Sequence, residues 1–376
     1  MVVRATVITR IGPANRLGSL TNRDNDHVDP PPPDGSGVIV ARGFDVDYGR
    51  GQLARMLDDL GSWVAVTQPE PWALLAPGLP AEPDRVVWAG DLRPRHLDRL
   101  AAELPAGAAV VGIGGGSAMD TAKWLHHRTG ARLVQVPSLP SVDACFTRMT
   151  ALRDGGGVRY EGDSVPDVVL VDFDLIWSAP RALVAGGIGD VLSCHTGLHD
   201  WALGAAAGRD APWDETAAAR AREYLDDLEQ LAPLLAAGDD QGVRMLMECH
   251  RDIGWLCHDL GHARFEEGSE HFWAYAFEHV TGRTIMHGEL VTLGVLTMST
   301  LQDNDPERPR RIADTAGART DLDQLGVSWD EVAAALDRLP SFVEDQGLWY
   351  SVANGLELGP DRLAAVRRAL RVPSAG

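Results

Sequence analysis

The feature that most constrains this chain is a run of three glycines between a β-branched segment and a helical pattern. Residues 110–113 read Val-Val-Gly-Ile, the glycines are Gly114, Gly115 and Gly116, and the helical pattern begins at Ser117. Glycine reaches backbone conformations that are closed to residues with a Cβ atom, and the free amides and dipole of a helix N-terminus attract an anion. The segment therefore predicts a strand, a tight turn and a helix that together receive a phosphate.

The glycine run by itself also fits a βα turn without a ligand, because its spacing differs from the GxGxxG spacing of a standard dinucleotide turn. The next predicted strand supplies a second observation. After residues 132–136 the chain places Ser138, Ser141 and Asp143. Ligands bind at the carboxyl ends of strands in open parallel sheets, so we expect these side chains and the glycine turn to face one ligand.

Strands and helices alternate over the first half of the chain and give way to helices alone in the second half. The predicted strands are residues 38–41, 63–67, 85–89, 108–113, 132–136 and 166–172, with helices at 50–60, 93–104 and 117–128. The later predicted helices are 180–192, 218–236, 242–260, 268–282, 289–301, 309–316, 329–336 and 360–370. This order predicts an α/β Rossmann-like domain followed by an all-α domain.

The pattern divides the chain into three parts. Residues 1–36 are rich in proline and polar residues and predict a loosely ordered segment. Residues 37–178 predict the Rossmann-like dinucleotide-binding domain, and residues 179–376 predict the helical domain that binds metal and substrate.

The composition narrows the classes of function. A chain of 376 residues that is 45% hydrophobic can fill the cores of two domains. Its formal charge of −20 disfavours nucleic acid and anionic membranes as partners and leaves a small-molecule substrate. No apolar run is long enough to cross a bilayer and no convincing signal peptide is present, so we expect a cytoplasmic protein. The four cysteines include no CxxC pair, which favours reduced packing residues.

Carboxylate and imidazole side chains in the helical half suggest a metal site. Asp190 follows a glycine-rich turn, and His271 and His287 each stand near the start of a predicted helix. Three protein ligands that leave one position open match a catalytic site for a divalent cation. Spacing alone does not select these residues, since a histidine is also common in cores and at helix ends. The competing histidines are His195, His199, His258, His262 and His279.

Seven motifs occur in one order along the chain. They are residues 114–120 (GGGSAMD), 137–143 (PSLPSVD), 165–174 (VPDVVLVDFD), 185–190 (AGGIGD), 199–201 (HDW), 268–271 (GSEH) and 287–289 (HGE). A chain with these motifs resembles the sn-glycerol-1-phosphate dehydrogenases, within the wider superfamily of iron-containing alcohol dehydrogenases and dehydroquinate synthases. The resemblance covers about residues 37–301.

The resemblance implies a site in the cleft between the two domains that holds a divalent metal, zinc in the first place, with nickel or iron as alternatives. It assigns the metal to Asp190, His271 and His287, and it makes Asp143 the carboxylate that meets the substrate during catalysis. It also implies NAD or NADP as cofactor and a homo-oligomer, dimeric or larger. The implied cofactor contacts are Gly114, Gly115, Gly116, Ser117, Asp120, Ser138, Ser141 and Thr147.

Two departures from the family pattern bear on the substrate. Tyr275 stands four residues after the first histidine ligand, where the family has a second histidine that contacts the substrate. Arg264 is retained as an implied substrate contact, but Glu266 and Glu267 add negative charge near a pocket expected to hold a phosphate. We interpret the two acids as a solvated helix N-terminus, where carboxylates are favourable. Together the departures weaken dihydroxyacetone phosphate as the substrate.

The leading hypothesis is a metal-dependent NAD(P)-linked dehydrogenase that reduces a small ketone, dihydroxyacetone phosphate or a related compound, to an alcohol. The cation would polarise the carbonyl while the cofactor delivers hydride. One alternative is a cyclase or lyase that resembles dehydroquinate synthase and uses NAD transiently, although Lys123 is the only lysine available for a phosphate. Another is a descendant that only binds nucleotide. The sequence leaves NAD and NADP open, since Gln68 ends a strand where an acid would indicate the ribose of NAD.

Overall fold

The computed structural model describes residues 44–141, 143–154 and 157–373. The predicted N-terminal segment at 1–36 and the predicted strand at 38–41 lie outside these residues. The described residues all fall in one compact unit, and the predicted division at Ser178 remains a prediction.

The strands of the described residues form a parallel sheet and a separate hairpin. The strands are β1 Asp45–Gly49, β2 Trp63–Thr67, β3 Arg85–Trp88, β4 Ala109–Gly114, β5 Leu133–Pro137, β6 Thr150–Asp154, β7 Gly157–Glu161 and β8 Val168–Asp172. The sheet has six strands in the order β1-β8-β5-β4-β2-β3, and β6 pairs with β7 in antiparallel fashion.

Helices flank the sheet and then make up the remainder of the described chain. Those in the first half are α1 Gln52–Leu60, α2 Pro69–Leu75, α3 Pro94–Ala102, α4 Gly116–Thr129 and α5 Phe173–Ser178. Those in the second half are α6 Arg181–Ala185, α7 Gly189–Leu192, α8 Cys194–Ala206, α9 Glu215–Ala237, α10 Asp240–Leu260, α11 Ser269–Thr281, α12 His287–Leu301, α13 Glu307–Ala316, α14 Leu322–Leu325, α15 Trp329–Gln346 and α16 Pro360–Ala369. The predicted fold class, a Rossmann-like α/β portion followed by a helical portion, is confirmed.

The register of the sheet determines where the site forms. All residues of β2, β4 and β5 are buried, as expected for parallel strands covered on both faces. Gly114 at the end of β4 lies opposite Pro137 at the end of β5. The glycine turn and the loop that begins at Ser138 therefore leave the sheet side by side at its carboxyl edge.

The segment that leads to Asp190 differs from the prediction of one helix at 180–192. The structure has α6, a 3-10 turn at Gly186–Ile188 and α7, because Gly186 and its neighbouring glycines pack backbone against backbone. Sequence reasoning also missed β1, the β6–β7 hairpin and α8. Most of α8 is buried, including the polar residues His195, Thr196 and Asp200, so it lacks the two-faced pattern by which a surface helix is recognised.

The helical portion carries the largest apolar core of the described residues, built around α9, α10, α11, α12 and α15. Two smaller clusters cover the two faces of the sheet. Among the helices described, none combines the length and hydropathy required to span a membrane.

Candidate metal and nucleotide site

Three helices bring the predicted metal ligands together. Asp190 lies on α7, His271 near the start of α11 and His287 at the start of α12. The Nε2 atom of His287 lies 3.3 Å from Asp190 Oδ1, and that of His271 lies 3.8 Å from the same oxygen. One ligand atom from each residue lies within 4.8 Å of the other two. In the part of the chain that the structure describes, this is the one group of His, Cys, Asp and Glu side chains that could hold a metal ion.

Backbone contacts between glycines make this convergence possible. A Cβ atom on Gly189 would collide with the carbonyl oxygen of Gly288, and one on Gly288 would collide with the carbonyl oxygen of Gly186. A Cβ atom on Gly187 would collide with the carbonyl oxygen of Pro140, in the loop after β5. The start of α12 and the loop after β5 thus contact the turn before α7 directly.

His250 fixes the same junction from a different helix. Its Nε2 atom lies 3.1 Å from the carbonyl oxygen of Pro140 and 3.0 Å from that of Gly187. The residue is fully buried on α10. Sequence reasoning missed His250 because it belongs to no motif, and its position becomes evident only when the loop after β5 and the turn before α7 are seen together.

The donor set fits a divalent cation. Asp190 Oδ1 is buried and has no hydrogen-bond partner among the described residues. His271 Nδ1 lies 3.0 Å from Glu270 Oε1, the outer contact that typically orients a histidine ligand. Glu289 follows His287 by two residues, and its buried carboxylate accepts two hydrogen bonds of 2.5 and 2.9 Å from Arg319. Carboxylate and imidazole are ligands for zinc and similar cations.

The pKa shifts describe an acidic environment that attracts positive charge. Burial lowers the pKa of His271, but hydrogen bonds and proximity to Asp190 and Glu270 raise it well above its ordinary value. Burial raises the pKa of Asp190, but His287 and His271 outweigh burial and lower it. The carboxylate therefore stays ionised, the form that binds a cation.

The glycine turn has the geometry that the sequence predicts. Gly114 has φ +156°, a conformation that favours glycine, and α4 begins at Gly116. The side chain of Gln68 reaches across from the end of β2, and its Oε1 atom accepts a hydrogen bond of 3.1 Å from the Gly115 amide. The Ser138 amide donates to the carbonyl of Gly114 at 2.9 Å. The turn, the start of α4 with Ser117, and the loop that carries Ser141 thus share one edge of the sheet.

Two of the implied cofactor contacts have partners inside the protein. Lys123 is fully buried, and its ammonium lies 3.0 Å from Asp120 Oδ1 and donates to Thr147 Oγ1 at 3.1 Å. Asp120 also accepts from the Ala151 amide at 3.2 Å. These contacts attach the β6–β7 hairpin to α4. The polar groups of Asp120, Lys123 and Thr147 therefore have partners within the protein. Contact of Asp120 and Thr147 with a cofactor stays a prediction.

Asp143 packs against α10 at Gly254, and it lies close enough to Asp190 for the two charges to affect each other. A Cβ atom on Gly254 would lie 3.2 Å from Asp143 Oδ2, so the absence of a side chain at Gly254 leaves room for the carboxylate. Burial, with a further contribution from the nearby charge of Asp190, raises the pKa of Asp143 to about 7. A carboxyl group of this kind can either accept or donate a hydrogen bond near neutral pH.

The interpretation of Glu266 and Glu267 as a solvated helix N-terminus is wrong. Both residues precede α11 and are only partly exposed. Cys257 on α10 donates a hydrogen bond from Sγ to Glu266 Oε1 at 2.9 Å. Burial of Glu266 raises its pKa well above the ordinary value, and the nearby charge of Asp143 raises it further. Tyr275 donates from its hydroxyl to Glu267 Oε1 at 3.0 Å. Local sequence favoured capping, but packing against α10 and α11 turns both acids inward.

The hydrogen bonds of the Arg264 guanidinium go to backbone carbonyls and not to Glu266 or Glu267. Arg264 is fully buried, and its Nη2 atom donates to the backbone carbonyls of Asp200 and Tyr350 at 2.9 and 2.8 Å. Its guanidinium also stacks over the ring of Trp349. These contacts join α8 to the segment after α15, and they do not support the predicted substrate contact. Tyr275, in contrast, lies beside one of the predicted metal ligands, with its ring centroid 6.2 Å from that of His271.

The competing histidines have other surroundings in the described chain. His195 Nε2 lies 2.6 Å from the carbonyl oxygen of Asn304, His262 packs on the edge of Trp201, and His279 packs on Phe342. None of the competitors, His195, His199, His258, His262 and His279, belongs to the cluster of possible metal ligands.

The described chain thus has a parallel sheet with a glycine turn, followed by helices that bring one carboxylate and two imidazoles together. Residues 89–180 match the family model for iron-containing alcohol dehydrogenases. The fold is similar to that of a glycerol dehydrogenase from Schizosaccharomyces pombe, with a TM-score of 0.63 and 21% identity over 87% of this chain and 89% of that one. This segment of the chain is therefore similar to the iron-containing alcohol dehydrogenases, and the rest of the described chain shares the fold of the S. pombe protein.

Curated relatives that share one name match a longer part of the chain. The chain is 33% identical over 227 residues to the glycerol-1-phosphate dehydrogenase [NAD(P)+] of Aeropyrum pernix, a match that covers 60% of this chain and 64% of that protein. It is 27% identical over 283 residues to the protein of the same name from Methanothrix thermoacetophila, which covers 74% of this chain and 79% of that protein. The resemblance to the glycerol-1-phosphate dehydrogenases that the motifs indicate is therefore confirmed.

Proposed function

We propose that this protein is a metal-dependent, NAD(P)-linked oxidoreductase that reduces a small hydroxyketone, dihydroxyacetone phosphate or a related compound, to the alcohol. The observation that supports it best is the convergence of Asp190, His271 and His287 beside the loop after β5. That loop leaves the sheet next to the glycine turn, so a substrate carbonyl at the metal would lie next to a cofactor bound at the turn. The names of the curated relatives agree with this chemistry and with both cofactors.

Separate groups of residues would have separate roles in the reaction. With a cation held by Asp190, His271 and His287, the carbonyl would be polarised while the reduced nicotinamide supplies hydride. The glycine turn and the start of α4 would bind the pyrophosphate through backbone amides. Asp143 would orient the substrate by a hydrogen bond, and its pKa of about 7 allows it to exchange a proton near neutral pH. A homo-oligomer and zinc as the metal, with nickel or iron as alternatives, are part of this proposal.

The test is a ketone screen with the full chain. Protein loaded in turn with zinc, nickel and ferrous iron is mixed with NADH or NADPH and a panel of small ketones, and nicotinamide absorbance is followed. We expect oxidation of the cofactor that requires both metal and ketone, in a one-to-one ratio with the alcohol formed. Product formation with only catalytic NAD and no net redox change would instead support a cyclase or lyase, and nucleotide binding without turnover of any ketone would contradict the proposal.

The amide of Gln68 should influence the choice of cofactor. Its side chain already reaches the Gly115 amide at the phosphate turn, and an uncharged group there does not repel the 2′-phosphate of NADP. We expect Gln68→Asp to lower the ratio of kcat/KM for NADPH to that for NADH about tenfold, through repulsion between like charges. Gln68→Asn is the control of equal size without the charge. An equal shift in both variants would show that charge is not the cause.

A further inference from the structure

We propose that Asp200 is a positioning residue for the predicted metal ligand His271. From α8 the Asp200 carboxylate holds the start of α11, and the start of α11 holds the histidine ring. This inference rests on the metal site of the proposed function. It gives a role to the HDW motif at residues 199–201, which the proposed reaction does not use.

The start of α11 has no cap from its own N-cap residue. That residue is Gly268, whose backbone is extended and which has no side chain to accept a hydrogen bond from the first free amides of the helix. Asp200, fully buried on α8, supplies the missing acceptor, because its Oδ2 atom accepts a hydrogen bond of 2.8 Å from the Ser269 amide. A carboxylate from a different helix therefore fixes where α11 begins, two residues before His271.

Glu270 carries this constraint to the histidine ring. Its Oε1 atom accepts a hydrogen bond of 2.6 Å from the Gly268 amide and lies 3.0 Å from His271 Nδ1. A proton on Nδ1 that is donated to this carboxylate leaves Nε2, 3.8 Å from Asp190 Oδ1, as the ring nitrogen that binds a cation. The backbone at the start of α11 therefore determines where that nitrogen lies.

The absence of a side chain at Gly268 lets α8 approach the start of α11. A Cβ atom on Gly268 would lie 2.7 Å from Asp200 Oδ2 and 3.1 Å from Glu270 Oε2. It would also lie 3.1 Å from the Cα atom of Gly197, in the backbone of α8. Any side chain at this position would thus push Asp200 away from the Ser269 amide.

Both oxygens of the Asp200 carboxylate accept hydrogen bonds. While Oδ2 accepts from Ser269, Oδ1 accepts from the Val352 amide at 2.8 Å, at the start of the 3-10 helix Val352–Gly355. Burial, with a further contribution from Glu270, raises the pKa of Asp200 to about 6, so above neutral pH both oxygens are acceptors. An asparagine has one acceptor oxygen and would turn its NH2 group toward one of the two amides.

The two hydrogen bonds belong to two different roles, and the chain offers a variant that separates them. The bond to Ser269 leads to the metal ligand, whereas the bond to Val352 only anchors the segment after α15. Val352→Pro removes the second bond alone, because proline has no N–H and suits the first position of a helix. The preceding residue, Ser351, already has the extended backbone that proline requires.

The test measures the zinc affinity of the full chain by competition with a chromogenic chelator, at about pH 8, above the pKa of Asp200. It also records the visible spectrum of the cobalt(II) form, which depends on the geometry of the ligands. We expect Asp200→Asn to lower zinc affinity about tenfold or more, as when an outer support of a metal ligand is lost, and to change the cobalt spectrum. Val352→Pro should leave both unchanged. So should Trp201→Phe, which alters the next buried residue of α8 and removes its hydrogen bond to the Ala211 carbonyl.

Two results would overturn the inference. One is a folded Asp200→Asn protein with the zinc affinity and cobalt spectrum of its parent, and the other is an equal loss of affinity in Asp200→Asn and in either control. If Asp200→Asn does not fold, hydrogen exchange of the native protein decides. Zinc should then slow exchange of the Ser269 and Val352 amides together, and more than that of amides in α9, because coupling between two sites is reciprocal. Slowing at Ser269 without Val352 would reject the role of Asp200.

The failure of this inference is distinct from the failure of the proposed function. A native protein that binds no zinc would reject the metal site itself. Parental zinc affinity in Asp200→Asn would reject only the positioning role and leave the oxidoreductase proposal standing.

Discussion

Replacement of His287 by alanine is expected to lower kcat/KM about 10³-fold, because loss of a Lewis acid that contributes several kcal/mol to the transition state has an effect of this size. His287 Nε2 lies 3.3 Å from Asp190 Oδ1, and its removal would leave two of the three predicted ligands. Bound metal, measured by elemental analysis after dialysis, should fall in parallel with activity. Nucleotide binding should persist, since the glycine turn and α4 contain no part of the metal site.

The matched control is His279→Ala. His279 lies near the end of α11, where it is exposed and packs on Phe342. Its replacement removes an imidazole but leaves Asp190, His271 and His287 in place. We expect its metal content and kcat/KM to stay near those of the parent. A double variant, His271→Ala with His287→Ala, that remains active without metal would reject the metal-dependent mechanism.

The strand, turn and helix around Gly114 were predictable because their determinants are local. A buried β-branched strand, a glycine with positive φ and a helix that starts directly after it all appear in consecutive residues. The carboxyl-edge position of Ser138 also followed from sequence, since parallel strands end at the same edge. Helix α8 escaped prediction because its burial on most sides removes the periodic signal.

The prediction of the metal ligands required more than a local sequence pattern. Spacing among twelve histidines did not distinguish His271 and His287 from their competitors as metal ligands. Only the resemblance to a known family selected these two. The cluster depends on contacts between α7, α11 and α12, which are far apart in sequence. No periodicity encodes such contacts.

The direction of a side chain was the least predictable property. Arg264 keeps the residue type that the family resemblance implies, yet its guanidinium is fixed on the carbonyls of Asp200 and Tyr350. Glu266 has the local context of a capping acid, yet it meets Cys257 on α10. In both cases the partner lies on another element, so residue identity alone left the direction open.

Replacement of Gly189 by alanine is expected to reduce the free energy of unfolding by about 3 kcal/mol, the upper part of the range for forced overpacking. Gly189 has helical backbone angles, φ −54° and ψ −52°, so alanine would otherwise stabilise α7 by about 1 kcal/mol relative to glycine. The collision of its Cβ atom with the carbonyl oxygen of Gly288 reverses that sign. Backbone atoms cannot rotate away as a side chain can, so α7 and α12 must separate.

Separation of these helices should also weaken the metal site, because Asp190 directly follows Gly189 and His287 directly precedes Gly288. We expect metal affinity to fall about tenfold or more, as when outer supports of a metal site are removed, measured by competition with a chromogenic chelator at a temperature where the variant is folded. Gly78→Ala is the control, since no atom lies within 4 Å of the added Cβ there. A Gly189→Ala protein as stable as its parent, with unchanged metal affinity, would show that α7 and α12 do not meet through their backbones.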